Sequence, residues 1–194
     1  MRATCTAFAG SRRIASGPLD EVALAVKAAL DANENHPLLV FDDISGKLMD
    51  FDLRGAPADI VARLATESPP EQPQEPSRGP GRPKLGVVAR EVTLLPGHWD
   101  WLNAQPGGAS VALRKLVETA RVTHAGADRR RVAQQSADRF MAALAGNERG
   151  YEEAARALYA GDRIRFAEAT APWPADVRRY AMQLSTAAFD EGAA

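Results

Sequence analysis

The residues of this chain whose types and spacing can do chemistry are few and lie in separate places. Arg78-Gly79-Pro80-Gly81-Arg82-Pro83-Lys84 sets bases among glycine and proline. Proline holds such a backbone extended, and glycine lets it approach a surface closely. Asp42, Asp43, Asp50 and Asp52 surround an expected hairpin. Alternation places Asp50 and Asp52 on one strand face, where with Asp42 they can form a hard-cation site or serve as turn formers and a solvated face. The second role is the commoner one, so no metal is expected. Arg129-Arg130-Arg131 is read as the basic start of a helix, where positive charge is mildly unfavourable, and so as a phosphate contact or a solvated end. The histidines stand far apart, at positions 36, 98 and 124. Cys5 is the only cysteine and has no identifiable base partner, so no disulfide or Cys-rich zinc site is expected. No nucleophile elbow, Walker A motif or dinucleotide fingerprint is present. The expectation is therefore a protein that is not an enzyme and takes no cofactor.

The elements that must position these residues are legible from composition and periodicity. Hydrophobic residues make up 45% of the 194 and charged residues 25%, the balance of a globular chain rather than a disordered one. The opening MRATCTAFAGSRR has no apolar core of signal-peptide length, and no apolar run is long enough for a bilayer. A reducing cytoplasm and no membrane partner are the expectation. The net charge of −1 means that attraction to nucleic acid must come from local clustering. Such clustering exists: residues 78–121 hold 7 basic and 3 acidic residues, whereas residues 1–66 hold 7 and 9.

Residues 1–66 read as a small ββαββα domain. Thr4–Phe8 and Arg13–Ser16 are strands about a Gly10-Ser11 turn, and Val22, Ala25, Val26, Ala29 and Leu30 form a helical stripe. Leu38–Phe41 and Leu48–Leu53 are the second pair of strands, and Pro57 opens a helix. Residues 67–84 carry six of the 13 prolines and read as an exposed linker. Residues 85–124 follow with a strand, Val87–Leu95, a short helix, Trp99–Ala104, a Gly107-Gly108 turn and a helix, Val111–Arg121, capped by Ser110. Ala112, Leu113, Leu116, Val117 and Ala120 form the stripe of that last helix. Residues 125–194 form a helical bundle with stripes at Ala133, Ala137, Phe140, Met141 and Leu144, at Tyr151, Ala154, Ala155 and Leu158, and at Val177, Tyr180, Ala181 and Leu184. Asn147 is the expected cap of the second of these helices. The fold class is α+β.

Leu95-Pro96, the short helix after it and Gly107-Gly108-Ala109-Ser110 before a longer helix make the middle segment resemble a ribbon-helix-helix unit of the Arc and MetJ type. The resemblance spans Ala89 to Arg121. It implies a homodimer whose paired strands enter the major groove, with a phosphate at the N-terminus of the second helix. Arg90, Thr93, Ser110, Arg114 and Lys115 are the positions it offers to DNA. The chain departs from the family at Leu94, where a polar or basic residue is usual, and Glu91 repels phosphate in one strand register. Gly81-Arg82-Pro83-Lys84, with Arg78 upstream, resembles an AT-hook, which implies that Arg78, Arg82, Pro83 and Lys84 form a minor-groove arm.

Over most of its length the sequence is also similar to a bacterial family of unknown function. That similarity rests on Phe51-Asp52-Leu53-Arg54-Gly55, Gly81–Lys84, Glu91–Pro96, Gly107–Val117 and Ala157–Asp162. The function expected is a DNA-binding regulatory homodimer. The alternative is a non-catalytic module for protein–protein interaction or dimerisation.

Overall fold

The computed structural model describes residues 3–67, 88 and 90–190. They form a mixed α+β protein that divides into two compact units, one of residues 1–68 with 126–194 and one of residues 69–125. Among the described residues no helix is long and apolar enough to cross a membrane.

The first unit is built on a four-stranded antiparallel sheet, order β2-β1-β3-β4, made of β1 (Thr4–Ala9), β2 (Arg12–Pro18), β3 (Leu38–Asp42) and β4 (Leu48–Met49). β1 lies inside the sheet, with Thr6 opposite Ser16 on β2 and opposite Phe41 on β3. Side chains alternate across it. Cys5, Ala7 and Val40 face α1 (Leu19–Asp31), where they meet Val22 and Val26. Asp20 and Glu21 in the first turn of α1 suit the positive end of its dipole. α2 (Pro57–Glu67) packs beside α1 and buries Ile60.

The other sheet face carries Phe8 and Phe41. They enter a core shared with Phe140 and Met141 of α4 (Gly108–Leu144), Leu158 of α5 (Tyr151–Ala160), Phe166 of α6 (Arg163–Ala169), and Val177 and Tyr180 of α7 (Ala175–Leu184). Ring centroids lie 5.4 Å apart for Phe8–Phe140, 5.0 Å for Phe41–Phe140 and 4.7 Å for Phe140–Tyr180, offset or edge-on as aromatic pairs prefer. The sheet is thus covered by helices on both faces. The division into an N-terminal domain ending at 66 and a separate bundle from 125 therefore differs from the packing. α1 and α2 cover one face only, and the aromatic face finds its partner more than a hundred residues along the chain.

The helices end where the sequence changes. Gly161, at φ 72°, closes α5 in the left-handed conformation that a side chain disfavours. Asp162 then accepts from the Arg165 backbone N–H at 3.0 Å and caps α6. α5 begins after Gly150, not after Asn147.

Several other boundaries also differ from those expected. β4 is only two residues long, so Asp50 and Asp52 are not on a strand face. The helices expected at Val111–Arg121 and around Ala133–Leu144 are one continuous 37-residue helix, α4. Their apolar stripes are out of phase by roughly 110° at 100° per residue, which makes one helix read as two. Arg129-Arg130-Arg131 consequently lies inside a helix and not at its start.

In the second unit, Pro96 opens α3 (Pro96–Asn103) at a position that needs no donor, and the Leu95 carbonyl accepts from the His98 N–H at 2.9 Å. A Gln105–Gly108 turn leads into α4, and Leu102 and Ala112 are buried. α4 starts at Gly108, so Ser110 lies within its first turn and is not its N-cap. The expected strand is not formed by the described residues 88 and 90–95, which belong to no β-ladder. A strand has a ladder only opposite another strand, and among the described residues none lies opposite 90–95.

Candidate functional site

Arg90 and Thr93 are exposed, as is Glu91 between them, and Leu94 is half-buried. Ser110, Arg114 and Lys115 are exposed on the first turns of α4. Ser110 and Arg114 are one turn apart and share a helix face, with Lys115 beside them. Glu118 is held by Arg121 at 3.0 Å, and Arg114 and Lys115 have no ion-pair partner among the described residues. Among those residues, no hydrogen bond or ion pair joins residues 90–94 to α4. The structure thus groups Ser110, Arg114 and Lys115, and leaves Arg90 and Thr93 on a separate segment. Arg78, Arg82, Pro83 and Lys84 lie outside the described residues.

The same unit presents an unusual amount of apolar surface. Val92 is 56% exposed, Leu95 66%, Trp101 53%, Leu116 49% and Val117 57%. Against these, Leu102 and Ala112 are its only buried apolar residues among those described. These exposed apolar side chains belong to a unit whose described residues bury little apolar surface of their own.

Three of the four candidate carboxylates, Asp42, Asp43 and Asp52, are used by the fold. Asp42 Oδ1 accepts from the backbone N–H and the hydroxyl of Ser45, both at 2.6 Å, and so shapes its own turn. Asp52 pairs with Arg54 at 2.8 Å, and the hydrogen bonds from Arg54 hold its carboxyl well below the usual carboxylate range. Asp43 does more. Its Oδ1 accepts from the Tyr180 hydroxyl and from Thr6 Oγ1, each at 2.7 Å. Thr6 Oγ1 also lies 2.9 Å from Ser16 Oγ. Because the single Thr6 proton goes to Asp43, Ser16 donates to Thr6. The chain of bonds runs from Ser16 through Thr6 to Asp43, with Tyr180 converging on the same oxygen. Burial first, and the bond to Asp43 second, raise the Tyr180 hydroxyl above its ordinary value. Burial, then Asp43 and Asp42, push the Cys5 thiol up to about 12, so Cys5 is a protonated core thiol and not a nucleophile.

This knot fastens the β3–β4 turn to α7. Arg139 Nη1 donates to the Ser45 carbonyl at 2.7 Å and ties the turn to α4. Gly46, at φ 63°, lies so close to the Ser136 backbone that any side chain there would collide with its carbonyl. An open cavity of about 360 Å³ lies elsewhere. It is lined by Glu148, Glu152, Glu153 and Arg156 among others and reaches none of the knot residues. The chemistry available at the knot is structural. Sequence reasoning treated Tyr180 as core and Asp43 as a turn former, and missed Thr6. The only available signal was a polar residue inside the β1 run TCTAFA, which has to be satisfied if the strand is buried.

Residues 4–185 match the model of a family described as "Uncharacterized protein conserved in bacteria (DUF2239)". Neither a curated protein nor a solved structure matches the chain.

Proposed function

The chain belongs to the DUF2239 family of bacteria, and from that starting point we propose that it is a DNA-binding regulatory protein that acts as a homodimer through its middle segment. The observation that carries the proposal is the exposure of Val92, Leu95, Trp101, Leu116 and Val117 on a unit whose described residues bury only Leu102 and Ala112 among their apolar side chains. A second copy is the partner such a surface calls for, as in the ribbon-helix-helix units that residues 89–121 resemble. The unpaired cations Arg114 and Lys115 stand on the other side of α4 from its apolar stripe and remain free to meet phosphates. Arg78, Arg82, Pro83 and Lys84 serve as an arm in an A·T minor groove, and Arg90 and Thr93 face the duplex from the segment before α3.

Fluorescence anisotropy with A·T-rich and G·C-rich duplexes at about 50 and 200 mM salt tests this reading. Each phosphate contact contributes about −0.9 to the slope of log affinity against log salt, so three or four contacts per chain give a dimer a slope of roughly −5 to −7. Arg82→Ala with Lys84→Ala removes the A·T preference, and Arg114→Ala with Lys115→Ala flattens the slope for both duplexes. Absence of binding to either duplex at the lower salt overturns the DNA reading and leaves a non-catalytic interaction module.

A further inference from the structure

The pattern of charge along α4 goes beyond the statement that the protein is a dimer. Written as a heptad abcdefg with Leu113 at a, every charged residue from 113 to 125 falls at b, c or f: Arg114 at b, Lys115 at c, Glu118 at f and Arg121 at b. The a, d, e and g positions are Leu113, Leu116, Val117, Thr119, Ala120, Thr123 and His124. Leu113 is half-buried and the other six are exposed. This face runs for more than three turns, about 18 Å at 1.5 Å per residue.

A surface helix that only meets water has no reason to keep its charges off four of seven positions. A helix that packs along its length on another helix does, because a and d fill the seam and e and g flank it. The pattern also fits a second copy as the partner. Two-fold pairing sets a face against itself, so a charge near the axis would meet its own copy and a charge away from it would need an opposite charge at the matching position. A face without formal charge is compatible with itself. The small residues Thr119, Ala120 and Thr123 let two such helices approach closely, with Leu113, Leu116 and Val117 as the apolar filling at one end.

We propose that residues 113–124 of α4 pair with the same residues of a second copy, forming a helix–helix seam in addition to any ribbon of strands. This rests on the homodimer reading and names the surface that holds it. Arg114, Lys115 and Arg121 then lie on the outside of the pair, where the seam does not bury them.

Light scattering on the full chain at micromolar concentration separates the possibilities. The wild type has a mass of twice 20.8 kDa. Ala120→Glu, at the centre of the face, gives a monomer with unchanged helical circular dichroism. Val122→Glu, at c, stays a dimer and controls for added charge. Should Ala120→Glu lower the helical signal, Leu116→Gln is read in its place and gives a monomer. If Ala120→Glu remains a dimer, or if Val122→Glu dissociates as well, the seam is wrong. In that case Val92→Asp shows whether the strand holds the dimer without it. A monomeric wild type overturns both readings.

Discussion

Tyr180→Phe tests the polar knot and should destabilise the first unit by an amount the geometry sets. The Tyr180 hydroxyl donates at 2.7 Å to a carboxylate oxygen and is buried. A hydrogen bond to a charged group contributes about 1.5–3 kcal/mol. Phenylalanine keeps the ring, and with it the 4.7 Å contact to Phe140, so packing is conserved and the loss isolates the bond. Asp43 keeps its bond from Thr6, which holds the loss within that range. At about 2–4 °C per kcal/mol for a chain of this size, the midpoint falls by roughly 3–12 °C.

The pH dependence follows from the raised Tyr180 hydroxyl. Its folded value exceeds its unfolded value near 10, so its contribution is complete below pH about 10 and is lost as pH rises beyond it. The difference between wild type and variant is therefore constant at neutral pH and shrinks in alkali. Urea unfolding followed by circular dichroism at neutral and alkaline pH measures both effects. A variant within 0.5 kcal/mol of wild type at neutral pH, about the size of an ordinary surface substitution, refutes the knot.

Cys5 should resist alkylation at pH 8 in the folded protein, and Cys5→Ala should flatten the fall in stability between pH 9 and about 12, because a raised thiol contributes stability that alkali removes; thiol titration and alkaline urea curves measure this. Gly46→Ala should lower stability by about 2 kcal/mol or more, since it combines a positive φ with a collision at the Ser136 backbone; thermal unfolding reads it. Gly126→Ala should raise stability by roughly 0.5–1 kcal/mol, because Gly126 lies within α4 and nothing is within 4 Å of the added methyl; the same thermal assay detects the gain.

Local order was legible where one stretch of sequence specified it. Gly10-Ser11 between two β-rich runs, the Val22–Leu30 stripe and Pro57 placed their elements to within a few residues. What failed needed long-range information. Nothing in Phe8 or Phe41 shows that they meet Phe140 and Tyr180, so the sheet and the distant helices read as separate bodies. α4 read as two helices because its apolar stripe changes phase between Ala120 and Ala133. Leu48–Leu53 read as a full strand, whereas pairing stops at Met49. Of the candidate site, Ser110, Arg114 and Lys115 were legible together because a single helix spaces them. The Asp43 knot was not, because its partners come from β1, β2 and α7.

Light scattering of the full chain with a short A·T-rich duplex, at about 50 mM salt where phosphate contacts are strong, shows whether a dimer of this chain binds DNA. The expected result is one complex containing two chains, twice 20.8 kDa, and one duplex, which dissociates when Arg82, Lys84, Arg114 and Lys115 are all replaced by alanine. A chain that elutes as a monomer apart from the duplex contradicts it.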